Sequence, residues 1–264
     1  VTIFVGGSIL LFVLTFRPKP PTPPTNVVPA KVSFWESFQI FRRPSYLLVL
    51  YITGVNYSFI CILPGLMYNV FSSIGATSDD ADNAISMYLF LGVAGALCAA
   101  PLVDNLREKD PRIYQWTILA MNVLNLTFLL WFTLELDNKN TTLLTALVAI
   151  TSLFSTGVIP VGIEAAAEVV YPLPEGPAAG YLIMLGNLIA FFFLLISPCS
   201  NKAALTACKT GLWGVIGLAV SANVAALLFR PTYCRSEAEH RNPGMGQPLK
   251  TSFEDDEALL GRTE

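Results

Sequence analysis

Six apolar stretches of membrane-crossing length, separated by short polar intervals, leave this chain few architectures. They fall at about 44–68, 85–103, 115–134, 142–169, 178–197 and 209–229, and a shorter apolar run occupies 1–16. A bilayer-spanning helix needs about 20 predominantly apolar residues. In hydrocarbon every backbone polar group must be satisfied within the segment or by a closed barrel, so long unbroken apolar runs predict helices. Composition supports this at the one point where it discriminates: 13% of the residues are charged, against roughly 25% in soluble domains. The expected fold class is an all-α membrane protein, with a six-helix bundle over 44–229.

The flanks are read differently. The run at 1–16 lacks a basic leader and a cleavage-like site, so it is taken as the end of a preceding transmembrane helix. The chain opens at Val1 already apolar, and is read as starting inside a longer protein. Residues 17–43 form a linker: RPKPPTPPTNVVPA cannot be helical, because its prolines remove donors and favour polyproline geometry, whereas SFWESFQIFRR predicts a short interfacial helix. The tail, 230–264, is polar with clustered Gly and Pro, and is expected to be disordered. Arg17, Lys19, Lys31, Arg42, Arg43, Arg107, Lys109, Arg112 and Arg230 fall in alternate connections. The positive-inside rule therefore puts the linker, the loop after Asp104, the Tyr171 loop and the tail in the cytoplasm.

Several functions are disfavoured. The five cysteines form no CxxC pair and the single histidine is His240 in the tail, so no zinc centre and no other metal site is expected. A net charge of -3 offers no basic face for nucleic acid. Neither a nucleophile with its base nor a phosphate-cradling glycine loop is present, so the expected protein is not an enzyme and carries no cofactor.

Polar residues within the spans are the candidate site. The first full span holds Gly54, Asn56, Tyr57, Ser58, Cys61 and Pro64; Asn56 is a candidate lining residue and equally a candidate for an interhelical hydrogen bond. The next span is rich in small residues, including Gly92 and Gly95, which permit close helix approach. At its end Asp104 and Arg107 are candidate gating residues. Asn140 begins an Asn-Thr-Thr glycosylation pattern in a non-cytoplasmic connection. Cys199 and Cys208 flank another such connection and are a candidate disulfide. In the tail Asp255, Leu259 and Leu260 have the spacing of an acidic dileucine signal for a sorting adaptor.

The stretch from Gly157 to Gly180 carries the strongest chemical signal, because intramembrane carboxylates are costly and point to function. Glu164 and Glu168 are one turn apart, about 6 Å along a helix axis and about 40° around it. Two carboxylates so placed repel each other. A shared proton, a cation or a basic group from another helix would relieve them. Glu164, the deeper, is a candidate for contact with substrate or a proton, and Glu168 a candidate gate brace; the alternative is that both only latch helices together.

The segment GVIPVGIEAAAEVVYPLPEG at Gly157–Gly176, the PPTPPT linker at Pro20–Thr25 and VDNLREK at Val103–Lys109 resemble, in order and spacing, the feline leukaemia virus subgroup C receptor-related family. This is solute carrier family 49 of the major facilitator superfamily. The resemblance extends from the first partial helix through Phe229. It implies the end of helix six and helices seven to twelve of a twelve-helix transporter, whose partner would be its own amino-terminal half. It further implies alternating access, with cavity residues on helices seven and eleven, here Asn56, Tyr57, Cys61 and Asn187. Some choline-transporting relatives have an aromatic residue where this chain has Cys61 and Gln where it has Asn187, and aromatic faces favour quaternary ammonium groups. The expected activity is secondary transport of a small organic solute, cationic or amine-containing, choline-like or pyridoxine-like. The alternatives are a haem exporter and a non-transporting receptor or scaffold. The expected location is the plasma membrane or an endosomal or lysosomal membrane.

Overall fold

The computed structural model describes residues 36–107, 112–171, 173, 175–201 and 204–230, all within the unit Val32–Arg241. The expected partial helix at 1–16, the proline-rich part of the linker, and the tail with Asp255, Leu259 and Leu260 lie outside the described residues. A 3₁₀ helix, Glu36–Arg42, occupies part of the linker segment read as a short helix. Six long helices follow: α1 (Pro44–Ser73), α2 (Ser78–Arg107), α3 (Ile113–Glu135), α4 (Thr141–Val170), α5 (Glu175–Ile196) and, after a single turn α6 (Pro198–Asn201), α7 (Leu205–Leu228). All six are long and apolar enough to cross a membrane. The described residues thus form an all-α, six-span membrane bundle.

Local chemistry sets the helix limits. Arg43-Pro44 starts α1, since proline at the first helical position has no donor to leave unsatisfied. Thr77 and Asp80 form a reciprocal cap at α2: Asp80 N donates to Thr77 Oγ1 at 3.3 Å and Thr77 N to Asp80 Oδ2 at 3.0 Å. That cap places the start of α2 seven residues before the hydropathy-based expectation of 85, because its first turns are acidic and do not read as apolar. Asn140 caps α4, its Oδ1 accepting from Leu143 N at 3.2 Å. Pro64, Pro101 and Pro160 lie inside α1, α2 and α4, which a membrane bundle tolerates where neighbours satisfy the freed backbone.

α1 is the hub. It packs against α5, α4, α7 and α2, and 67% of its apolar window is buried, against 17% for α5. Close approach is fixed by glycines. A Cβ on Gly95 of α2 would overlap the carbonyl of Leu153 in α4, and one on Gly186 of α5 would lie 2.7 Å from Tyr57 Cδ1 of α1. These contacts require glycine for space, the arrangement by which small residues let membrane helices meet. α1 and α5 run parallel in constant register: Tyr46 donates to Ala178 O at 2.9 Å near their starts, and Asn69, in the last turns of α1, to Cys199 O at 2.8 Å just beyond the end of α5.

The apolar core is in two clusters. One joins the far ends of the helices and includes Phe59, Phe71, Phe132 and Leu212; the other joins the ends carrying Arg43, Arg112 and Arg230, and includes Tyr46, Tyr114, Val170 and Phe229. Between them, at mid-depth in α1, α3, α4 and α7, lies a buried polar layer of Thr53, Asn56, Asn122, Asn125, Thr151, Ser152, Ser155 and Asn223.

Candidate functional site

Two polar sets emerge on different sides of α1. The first faces inward. Asn56 is fully buried; its Nδ2 donates to Ile52 O at 2.8 Å and to Asn122 Oδ1 at 3.0 Å. Asn122 Nδ2 donates to its own helix at Ile118 O, and Asn223 Nδ2 reaches Asn122 O at 3.2 Å, so α1, α3 and α7 are joined at one level. Thr53 Oγ1, Asn56 Oδ1, Asn223 Oδ1 and both amide atoms of Asn125 are buried with no protein hydrogen-bond partner. Buried polar groups that lack a protein partner are commonly met by internal water.

The second set lies on the outer stripe of α1 and the adjacent face of α5. Tyr57 is half-buried while Cys61, Gly65 and Tyr68 are exposed, following helical spacing down one side. Asn187 is exposed on α5, its Nδ2 donating to Ile183 O at 3.0 Å, and the preceding Gly186 sits against the Tyr57 ring. Tyr57, Cys61 and Asn187 therefore belong to two neighbouring parallel helices, whereas Asn56 points toward α3. Sequence spacing sets Asn56 and Tyr57 about 100° apart around α1 but does not say which of them faces α3.

The carboxylates lie near the Arg43 end. α4 runs unbroken through both, Glu168 being 3% exposed and Glu164 half-buried. Arg43, just before α1, donates through Nη1 to Val169 O and, at 3.0 Å, to Tyr171 O. A guanidinium there meets the open carbonyls and the negative end of the α4 dipole. Thus a basic group from the neighbouring chain segment is fixed one residue beyond Glu168. The Arg-Arg-Pro sequence marks a span entrance but carries no signal for this long-range cap. Asp104 and Arg107 fall in the final turns of α2, where only their backbone is described.

At the opposite end, Asn140 is exposed and keeps its Nδ2 out of the cap it makes. The Cys199 and Cys208 sulfurs are 2.6 Å apart and both residues are buried. Burial, and the neighbouring Cys208, push the Cys199 thiol well above its ordinary range. Lys209 Nζ meets Asp137 Oδ1 at 2.5 Å, an exposed pair between α7 and the α3–α4 connection; such pairs contribute little to stability.

These features define a multi-pass integral membrane bundle of a size that fits one half of a transporter. No family model matches the chain. It is distantly and partially similar to transporters of the solute carrier 49 type. The choline/ethanolamine transporter FLVCR1 of Felis catus is 26% identical over 213 residues, covering 74% of this chain and 36% of that protein. An uncharacterized MFS-type transporter of Caenorhabditis elegans is 24% identical over 196 residues, covering 69% and 33%. Solute carrier family 49 member A3 of Xenopus tropicalis is 23% identical over 253 residues, covering 88% and 51%. The chain spans between about a third and about half the length of these relatives.

Proposed function

We propose that this chain is the carboxyl-terminal bundle of a twelve-helix major facilitator transporter of the solute carrier 49 type, moving a small cationic or amine-containing organic solute by alternating access. The observation that supports this reading is the parallel α1/α5 pair, in which the Tyr57 ring packs on Gly186 while Cys61 and Asn187 are exposed, on the side assigned to the cavity. In this reading a second six-helix bundle faces that side and closes the cavity. Tyr57 supplies an aromatic face for a cation, and Asn187 a hydrogen-bonding amide. Asn56 supports α1 from behind, through Asn122. The named choline/ethanolamine relatives favour an amine-containing solute over haem.

Glu164 and Glu168 belong to the Arg43-capped end of α4, with Asp104 and Arg107 in the same gating region. Rocking of the bundles changes the surroundings of this end, and Glu164 takes up a proton or cation in one of the two states. The Arg43 end and the tail are cytoplasmic, Asn140 is glycosylated, and Asp255, Leu259 and Leu260 recruit a sorting adaptor toward an endosomal or lysosomal membrane.

The test is uptake and efflux of labelled choline, ethanolamine, pyridoxine and haem in vesicles containing the whole transporter, with Asn187→Ala and Tyr57→Ala. Saturable flux of one amine, reduced at least tenfold by either substitution, is the expected result. Absence of flux for every solute, with verified insertion, would leave the receptor or scaffold reading in its place; haem flux alone would replace the amine by haem.

A further inference from the structure

A recess lies at the arginine-bearing end, away from the α1/α5 face. Arg112 immediately precedes α3 and Arg230 follows α7 by two residues. Together with Gln115, Trp116, Leu119 and Leu227 they line a cavity of about 530 Å³, within the roughly 300–1,000 Å³ of small-ligand sites. Gln115 Nε2 donates to Leu227 O at 3.4 Å and Asn223 ties α7 to α3 deeper in the bundle, so the walls belong to two joined helices. None of the described lining residues is acidic. Arg112 is the residue at the amino-terminal cap of α3, so the positive end of that helix lies beside the same recess.

The recess is half cationic and half apolar. Trp116 is 53% exposed and Leu227 61%, and further along the same helices Val123, Val220 and Val224 are also exposed. An apolar track therefore leads from the two arginines toward the middle of the membrane. Forked guanidinium donors match phosphate oxygens two at a time, Trp settles at the headgroup level, and basic pockets between membrane helices take anionic headgroups.

We propose that this recess binds an anionic glycerophospholipid of the adjoining leaflet, with its phosphate between Arg112 and Arg230 and its acyl chains along the outer face of α3 and α7. The apolar rim favours a lipid over a free anion, because Trp116 and Leu227 offer acyl chains a surface beside the arginines that inorganic phosphate would not use. The assignment requires the membrane bundle alone and is independent of any transported solute.

The experiment places the full chain in nanodiscs of phosphatidylcholine containing a minor fraction of phosphatidylserine, and counts retained lipids by native mass spectrometry. Wild type is expected to retain phosphatidylserine in preference to phosphatidylcholine. Arg112→Gln and Arg230→Gln should each lower that enrichment about fivefold, the factor corresponding to about 1 kcal/mol per basic residue near an anionic leaflet, while Arg42→Gln leaves it unchanged. No enrichment on wild type overturns the proposal, as does an equal loss in Arg42→Gln, which would mean a diffuse surface charge. Displacement of the lipid by inorganic phosphate at low concentration also overturns it, identifying a soluble-anion site. Should the Gln variants fail to reconstitute, the Arg112→Lys/Arg230→Lys chain decides: enrichment equal to wild type would exclude forked phosphate recognition, and a partial loss supports it.

Discussion

Asn56 Nδ2 lies 3.0 Å from Asn122 Oδ1, so the hub helix is hydrogen-bonded to α3 in the middle of the membrane, between the two apolar clusters. Removing one partner leaves the other's amide buried. Hydrogen bonds of this kind in membrane proteins average about 0.6 kcal/mol and reach about 1.7, and the orphaned group adds its own desolvation cost of about 1–3 kcal/mol. Asn56→Leu and Asn122→Leu are each expected to destabilise the bundle by about 1–2 kcal/mol. The double substitution should cost clearly less than their sum, because no orphan remains. Reversible unfolding in mixed micelles measures all three; strict additivity would show that the two amides do not act together.

The close approach of α2 and α4 makes a sharper prediction. A Cβ on Gly95 meets the backbone of Leu153, which has no rotamer into which to move. Gly95→Val is therefore expected to cost about 3 kcal/mol or more, by overpacking, and to reduce the folded fraction after extraction. Gly217 in α7 has nothing within 4 Å of the corresponding position, so Gly217→Ala should leave thermal stability within about 0.5 kcal/mol of the original. Fluorescence-detected size exclusion after heating compares the pair, and equal behaviour would remove Gly95 from the helix interface.

Much of the bundle is legible in the sequence because hydrocarbon permits so little else. The span expected at 142–169 is observed as Thr141–Val170, and that at 115–134 as Ile113–Glu135. Polar helix ends are less legible: the Thr77–Asp80 cap and the extension of α1 to Ser73 add turns that hydropathy does not detect. Which helix sits at the centre is not legible either, since α1 and α5 are both long and apolar enough to cross a membrane and hydropathy does not show what surrounds each. The same limit applies to the candidate site. The asparagines read as polar positions in a membrane, but their direction is set by packing: Asn56 turns to α3 and Asn187 outward. The Arg43 contact with α4 joins segments 126 residues apart, a separation at which local pattern carries no information.

Cys199 and Cys208 are adjacent and buried at the end opposite the arginines. In a chain matured in an oxidising compartment they are expected to form a disulfide, each thiol losing a proton and the pair losing two electrons to a disulfide oxidant of that compartment. Closing so short a loop contributes about 2.5–3 kcal/mol in the chain-entropy description. Intact mass with alkylation, before and after reduction, should show this pair protected until reductant is added, whereas the exposed Cys61 and Cys98 label at once. If all four label at the same rate without reductant, the pair is not bonded.

Arg43 connects the start of α1 with the end of α4, and through that end with the carboxylates. Its guanidinium meets the carbonyls of Val169 and Tyr171, while Glu168 lies one residue before the first of these. Arg43→Gln removes a charge from the helix C-terminus, expected to cost about 1–2 kcal/mol from the dipole and the charge-assisted bonds together. Both bonds come from the single Nη1, so Arg43→Lys, which keeps the charge and several donors on one nitrogen, should recover at least half of the loss. A purely electrostatic role would show full recovery by Lys, and a purely geometric one no recovery. In the proposed transporter the same series separates stability from gating. If Arg43 holds the α4 end in one of two bundle positions, Arg43→Gln changes the ratio of outward to inward flux at matched protein levels. Glu164→Gln changes the proton-driven component and spares exchange. Equal scaling of every flux mode by both substitutions would assign this end of α4 to architecture alone.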